Sequence, residues 1–267
     1  MVELTCTDFG GTGDLLIVGP SLGTSVEALW GPCIQHLTPS FRVVGWDLPG
    51  HGRSAPAVGF DLADLADTLR KITAELATGD SLRRSGSELA VSNSWYAGVS
   101  VAGAVGFALA VDPGPFAGIA TLAAAAKIGE PAAWYERAAL VRTASTSALI
   151  AGSVERWFAP GFTDRDPRTA ARLLESLTDA DARSYAATCE ALARFDGRER
   201  LGTATVPVLV AAGRHDRVVP IELARDSADR LPGATSYVFE GSAHLPPAEE
   251  PAAVAGVLTD FFQRGVR

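Results

Sequence analysis

Cysteine is scarce in this chain of 267 residues: only Cys6, Cys33 and Cys189 occur. Their number is odd, they lie far apart and no Cys-x-x-Cys is present. A disulfide framework and a zinc site are therefore disfavoured, and reduced, mostly buried thiols are expected. No basic stripe appears either, and the pair Arg83–Arg84 is too short to make one. With a formal net charge of −8 the chain does not look like a binder of nucleic acid, and it would be repelled by an anionic membrane. The longest apolar stretches are interrupted by Gly, Asp or Pro. None reaches the roughly 18–20 residues that a membrane helix needs. The opening Met1-Val2-Glu3-Leu4-Thr5 lacks the basic-then-apolar order of a secretory signal. No internal repeat or low-complexity tract is visible. A soluble, cytoplasmic protein is the expectation.

Apolar residues are plentiful, at 47% of the chain, which is enough for one sizeable core. Short apolar runs at Leu15–Val18, Phe41–Trp46, Trp95–Val99, Gly118–Ala123, Pro207–Ala212 and Ala234–Phe239 predict buried strands. Segments of helical period separate them, at Phe60–Ala77, Val101–Val111 and Pro251–Phe262, and a short helix is expected at Pro32–Leu37. Near-continuous apolar strands alternating with helices indicate a mostly parallel sheet covered on both faces, an α/β class of fold. One stretch, 128–196, shows helical patterns and no strand. It is too long for a loop and is expected to be a helical cap or lid, inserted between a first core segment (1–127) and a second (197–267).

The strongest local signal is Gly98-Val99-Ser100-Val101-Ala102-Gly103, set between an expected strand and an expected helix. A nucleophile on so tight a turn needs small residues two positions before and after it, and Gly98 and Ala102 satisfy this. Four histidines are available as its base. His36 lies in an expected helix, and His51 shapes the Gly-rich loop Asp47-Leu48-Pro49-Gly50-His51-Gly52-Arg53-Ser54. His215 adjoins Asp216 and competes for the role. His244, in Gly241-Ser242-Ala243-His244-Leu245-Pro246, follows the last strand, and loops after the strands of a parallel sheet gather at its ligand-binding edge. Asp216, after the fifth strand, completes the order Ser, acid, His. An oxyanion needs donors as well. The N–H of Val101 is one candidate. Leu22, in Gly19-Pro20-Ser21-Leu22-Gly23-Thr24, is the other, with Ser21 or Gly23 one register step away.

These motifs resemble the α/β-hydrolase family and, more narrowly, the 3-oxoadipate enol-lactonases. The resemblance rests on Gly19 to Ser25 with Trp30, on Arg42 to Ser54, and on the elbow Ala97-Gly98-Val99-Ser100. It continues through Ile128-Gly129, Trp134, Arg137, Val141-Arg142, Glu155-Arg156-Trp157-Phe158 and Phe162. Gly213 to Pro220, Ser242 to Pro246 and Glu250-Pro251 complete it. Ala102 departs from the usual Gly, and the N-terminal hairpin is expected to shrink to one strand. A carboxymuconolactone decarboxylase domain, fused in some relatives, is not expected here.

The resemblance implies a serine hydrolase that opens a small anionic enol lactone through an acyl-enzyme, with no metal and no cofactor. Ser100 would be the nucleophile, His244 the base and Asp216 its orienting acid, with Val101 and Leu22 binding the oxyanion. Trp134 and Arg137 on the first cap helix would face the substrate and take its carboxylate, because Arg suits planar anions. Alternatives are a carboxylesterase or a carbon–carbon bond hydrolase of the same fold, and a non-catalytic receptor. The chain order of its elements does not indicate an oligomeric state.

Overall fold

The computed structural model of the protein describes residues 2–78 and 93–264. Met1 and the Arg83–Arg84 pair lie outside the described residues. The chain begins with β1 (Cys6–Gly10), β2 (Asp14–Gly19), α1 (Val26–Leu37), β3 (Phe41–Trp46), α2 (Leu62–Ala77), β4 (Ser94–Val99), α3 (Val101–Val111) and β5 (Phe116–Leu122). Five helices then follow in succession: α4 (Pro131–Ala144), α5 (Ile150–Trp157), α6 (Phe162–Arg165), α7 (Pro167–Asp179) and α8 (Ala182–Arg194). The alternation resumes with β6 (Val208–Gly213), α9 (Ile221–Asp229), β7 (Thr235–Phe239), α10 (Pro246–Glu249) and α11 (Pro251–Arg264).

The strands form one seven-stranded sheet in the order β1-β3-β2-β4-β5-β6-β7. β1 pairs antiparallel with β3, and every other pair is parallel. All residues of β4 and β6 are buried, as a sheet covered on both faces requires. α1 packs against α11, and α2 against α3. The parallel strands all end at one edge, so the loops that follow them meet there. The insertion α4–α8 touches those loops. Asp181 N–H donates to Gly50 O at 2.8 Å, and Ser25 N–H donates to Ser176 Oγ at 2.5 Å.

Each strand expected from an apolar run is present within two residues of its expected ends, and β1 is the single strand before the first long one. The helix expected at Pro32–Leu37 starts six residues earlier, at Val26. Ser25 caps it by accepting Ala28 N–H at 3.1 Å, and Pro32 sits inside it. Pro32 therefore lies in the interior of the helix and does not mark its start. α2 starts at Leu62 because Asp61 caps it and Asp64 returns the bond, a capping box. β5 stops at Leu122, one residue early, because Ala123 takes a positive φ of 48°.

Candidate active site

Ser100 occupies the one-residue turn between β4 and α3, at φ 55° and ψ −114°. A residue with a side chain is held in that region only where its surroundings enforce it. The enforcement is visible on both sides. Ser100 N–H donates to Leu122 O at 2.9 Å. Tyr96 Oη donates to Ala102 O at 2.8 Å, tying down the first turn of α3. A Cβ on Gly98 would lie 2.4 Å from Ala102 O, so the small residue expected there is a steric necessity. Ala102, which stands where Gly is more usual, has its methyl opposite Gly19, where a Cβ would come within 2.7 Å. The Ser100 hydroxyl makes no cap bond with its helix.

The loop after β7 bends back over the end of β6. Gly213 makes this possible, since a Cβ there would fall 1.9 Å from Ala243 O. His215 N–H donates to Ser242 O at 3.0 Å, fastening the two loops together. The result is a buried pair, His244 Nδ1 and Asp216 Oδ2, 2.8 Å apart. The other carboxylate oxygen, Oδ1, accepts Val218 N–H at 2.7 Å and Val219 N–H at 3.0 Å. Asp216 is thereby fixed in rotamer; in the neutral tautomer that donates Nδ1–H to it, Nε2 of His244 is the bare nitrogen. His215 points its side chain outward and is exposed, as is His36. Neither competes for the site.

His51 is buried, with Nδ1 2.9 Å from Pro49 O and its ring stacked on Tyr185 at 6.0 Å. Burial lowers its pKa to about 4. Ser100 and His244 are both delivered to the same sheet edge. Among the described residues no hydrogen bond closes between Ser100 Oγ and His244 Nε2; such bonds commonly tighten only around a substrate.

The loop after β2 can be resolved by counting its donors. Pro20 has none. Ser21 N–H donates to Thr24 Oγ1 at 3.1 Å, and Thr24 N–H to Ser21 O at 3.0 Å. Ser25 N–H is taken by Ser176, and Val26 N–H by Asp47 Oδ1 at 2.7 Å. Among the described residues this leaves Leu22 and Gly23 as the N–H groups of the loop without a partner. Ser21, one of the two register alternatives, is committed elsewhere. At the elbow, Ser100 N–H is used by Leu122, and Val101 is the first helical residue, whose N–H has no intrahelical acceptor.

The insertion also meets these loops. Trp157 O accepts His244 N–H at 3.1 Å, and the Trp157 ring lies against Gly23. No periodic or composition signal singles out Trp157, because its contacts cross more than eighty residues of chain. On α4 the buried face carries Trp134, Ala138 and Val141, and Arg137 lies at its margin, half-buried. Trp134 Nε1–H donates to Ile128 O at 2.5 Å, which leaves the ring face as its free feature. The Arg137 guanidinium lies over that ring at 5.1 Å. Arg142 points away and pairs with Glu190 at 2.7 Å.

Among the described residues no carboxylate pairs with Arg137 or with Arg156. Burial, and then the nearby Arg137 cation, hold the Arg156 pKa below its ordinary value. Burial pushes the Tyr185 hydroxyl up, while both guanidiniums pull against that shift. Two partly buried cations thus share Tyr185 as a neighbour. Among the described residues no group of three or more His, Cys, Asp or Glu is placed to hold a metal ion. No described helix is long and apolar enough to cross a membrane.

A family model described as the alpha/beta hydrolase family matches residues 15–257. The 3-oxoadipate enol-lactonase 2 of Acinetobacter baylyi is 33% identical over 250 residues, covering 93% of this chain and 88% of its own. The pimeloyl-[acyl-carrier protein] methyl ester esterase of Vibrio campbellii is 28% identical over 243 residues, covering 88% and 89%. Among solved structures, the enol-lactonase from Burkholderia xenovorans LB400 superposes with a TM-score of 0.86 at 28% identity, covering 98% of this chain and 97% of that one.

Proposed function

The chain belongs to the alpha/beta hydrolase family, and from that premise we propose that it is a serine hydrolase that opens an anionic enol lactone of the 3-oxoadipate type. The observation that carries the hydrolytic reading is the buried Asp216–His244 pair on the loops after β6 and β7, with the strained Ser100 on the turn after β4 of the same sheet. In this reading Ser100 Oγ attacks the lactone carbonyl carbon while His244 Nε2 takes its proton. Asp216 holds the imidazole in that tautomer and stabilises its cation. The N–H groups of Val101 and Leu22 receive the oxyanion.

Collapse of the tetrahedral adduct breaks the ring C–O bond. The leaving oxygen departs as an enolate, takes the proton from His244, and the enol becomes a ketone. Water, deprotonated by His244, then attacks the acyl-enzyme and releases the second carboxylate with Ser100 restored.

The substrate class rests on similarity to the enol-lactonases and on Arg137. In a protein of net charge −8, a guanidinium stacked on Trp134 without a carboxylate partner is suited to a substrate anion. Arg156 adds positive charge from the neighbouring helix. The region 128–196 is in this reading the cap that carries those residues. A second reading, a carboxylesterase for an acyl methyl ester, is favoured by similarity to the Vibrio campbellii enzyme. Hydrolysis of the enol lactone and of a neutral methyl ester should be measured side by side, with wild type and Ser100→Ala. The expected result is turnover of the lactone that disappears in the variant. Lactone turnover that survives Ser100→Ala overturns the serine mechanism, and preference for the neutral ester overturns the substrate class.

A further inference from the structure

Glu249 ends α10, five residues beyond His244, and its side chain is buried. Oε1 accepts Ala243 N–H at 2.9 Å and Leu245 N–H at 3.3 Å, the N–H groups of the residues on either side of His244. Oε2 accepts Ala159 N–H at 2.7 Å, from the link between α5 and α6 in the insertion. Between these, His244 N–H donates to Trp157 O. Residues 243–245 and 157–159 are therefore laced together by one carboxylate and one carbonyl.

Among the described residues no Lys or Arg pairs with Glu249. Burial raises its pKa, while the three N–H bonds, and after them the charge of His244, oppose the rise. A buried carboxylate without a cation is costly, and an apolar residue would fill the same space at less expense in desolvation. Three peptide dipoles aimed at it from two chain segments are what the carboxylate gains.

We propose that Glu249 is a positioning residue for His244: it fixes the peptides flanking the imidazole and straps the helical insertion to the histidine loop. The proposal rests on the reading of His244 as the base. Its consequence is that the placement of the imidazole depends on contact with the insertion as well as on Asp216. Small displacements of a base are expensive, about a hundredfold in rate for 1 Å.

The test uses stopped-flow labelling of Ser100 by a fluorophosphonate, together with kcat and KM on a hydrolysed ester, in the full chain. Glu249→Gln keeps the shape but offers one acceptor oxygen, so its amide must face one of the N–H groups it replaces. Labelling and kcat are expected to fall about tenfold to a hundredfold, with KM unchanged. Ala159→Pro deletes only the strap. Phe158 already has extended backbone, φ −109° and ψ 138°, which suits a following proline. That variant is expected to slow labelling by about two- to tenfold, less than the Gln variant, and it carries the test if Glu249→Gln does not fold. Wild-type labelling rates in whichever of the two variants folds, with any loss confined to the melting temperature, would overturn the proposal. His244→Ala separates the premise: if it too labels at the wild-type rate, the reading of His244 as base fails, and not merely the role of Glu249.

Discussion

Asp216 divides its carboxylate between two tasks: Oδ2 meets His244 Nδ1 at 2.8 Å, and Oδ1 takes the N–H groups of Val218 and Val219. The second task makes the first directional, because the carboxylate cannot rotate without breaking two backbone bonds. Asp216→Asn keeps the volume but can present its NH₂ to Nδ1, which selects the wrong tautomer. Its kcat is expected to fall by about 10⁴-fold with little change in melting temperature. Steady-state kinetics beside a thermal melt check this; a loss under tenfold would count against the assigned role.

Arg137 is expected to act on affinity for charge. Arg137→Ala should raise KM for an anionic lactone by about tenfold to a hundredfold, the worth of a hydrogen bond to a charged group. KM for a neutral ester should stay within about twofold. Equal effects on both substrates would place the guanidinium outside the substrate site.

Gly213 is expected to be irreplaceable by alanine. The added methyl would sit 1.9 Å from Ala243 O, which is backbone and cannot swing away. Overpacking of this kind costs about 1–3 kcal/mol, and the histidine loop would lift. Gly213→Ala should therefore lower both the melting temperature and the rate of Ser100 labelling. A variant that melts lower yet labels normally would show that the loop is placed by something else.

His51 gives the fold a definite acid response. Its pKa is lowered from 6.5 to about 4 by burial, so between these values the unfolded chain binds a proton that the native state refuses. Stability therefore rises with pH across this window, and the loss on acidification begins near pH 6.5 and is complete below about pH 4. The depression corresponds to about 3 kcal/mol. His51→Asn lacks this proton and should show a smaller fall in melting temperature between pH 7 and pH 5 than wild type. An equal fall in both would assign the acid sensitivity to other groups.

The sheet was largely legible because its parallel strands are buried on both faces, so the apolar runs coincide with the elements. Ser100 was legible because a strand-to-helix turn demands small neighbours, and Gly98 meets that demand by steric exclusion. Chain order singled out Asp216 and His244 as a candidate pair, and the structure brings their side chains together. α1 starts before Pro32, which sits inside it, and the buried face of α9 is Ile221, Ala224, Ser227 and Ala228, with one large apolar residue to mark it. Trp157 and Glu249 were invisible as partners of His244, because their bonds cross from one segment to another and leave no periodic trace. The donor count that separates Leu22 from Ser21 likewise needed the side-chain bonds of Thr24.

The reach of Trp157 has a practical corollary for anyone who grafts pieces between relatives. Its carbonyl holds the peptide of His244 and its ring walls the loop beside Leu22, so the inserted helices also contain fastenings of the histidine loop. A chimera that exchanges the whole stretch imports foreign bolts along with the new lining. One that keeps residues 157–159 native and exchanges the helices on either side would leave those fastenings in place.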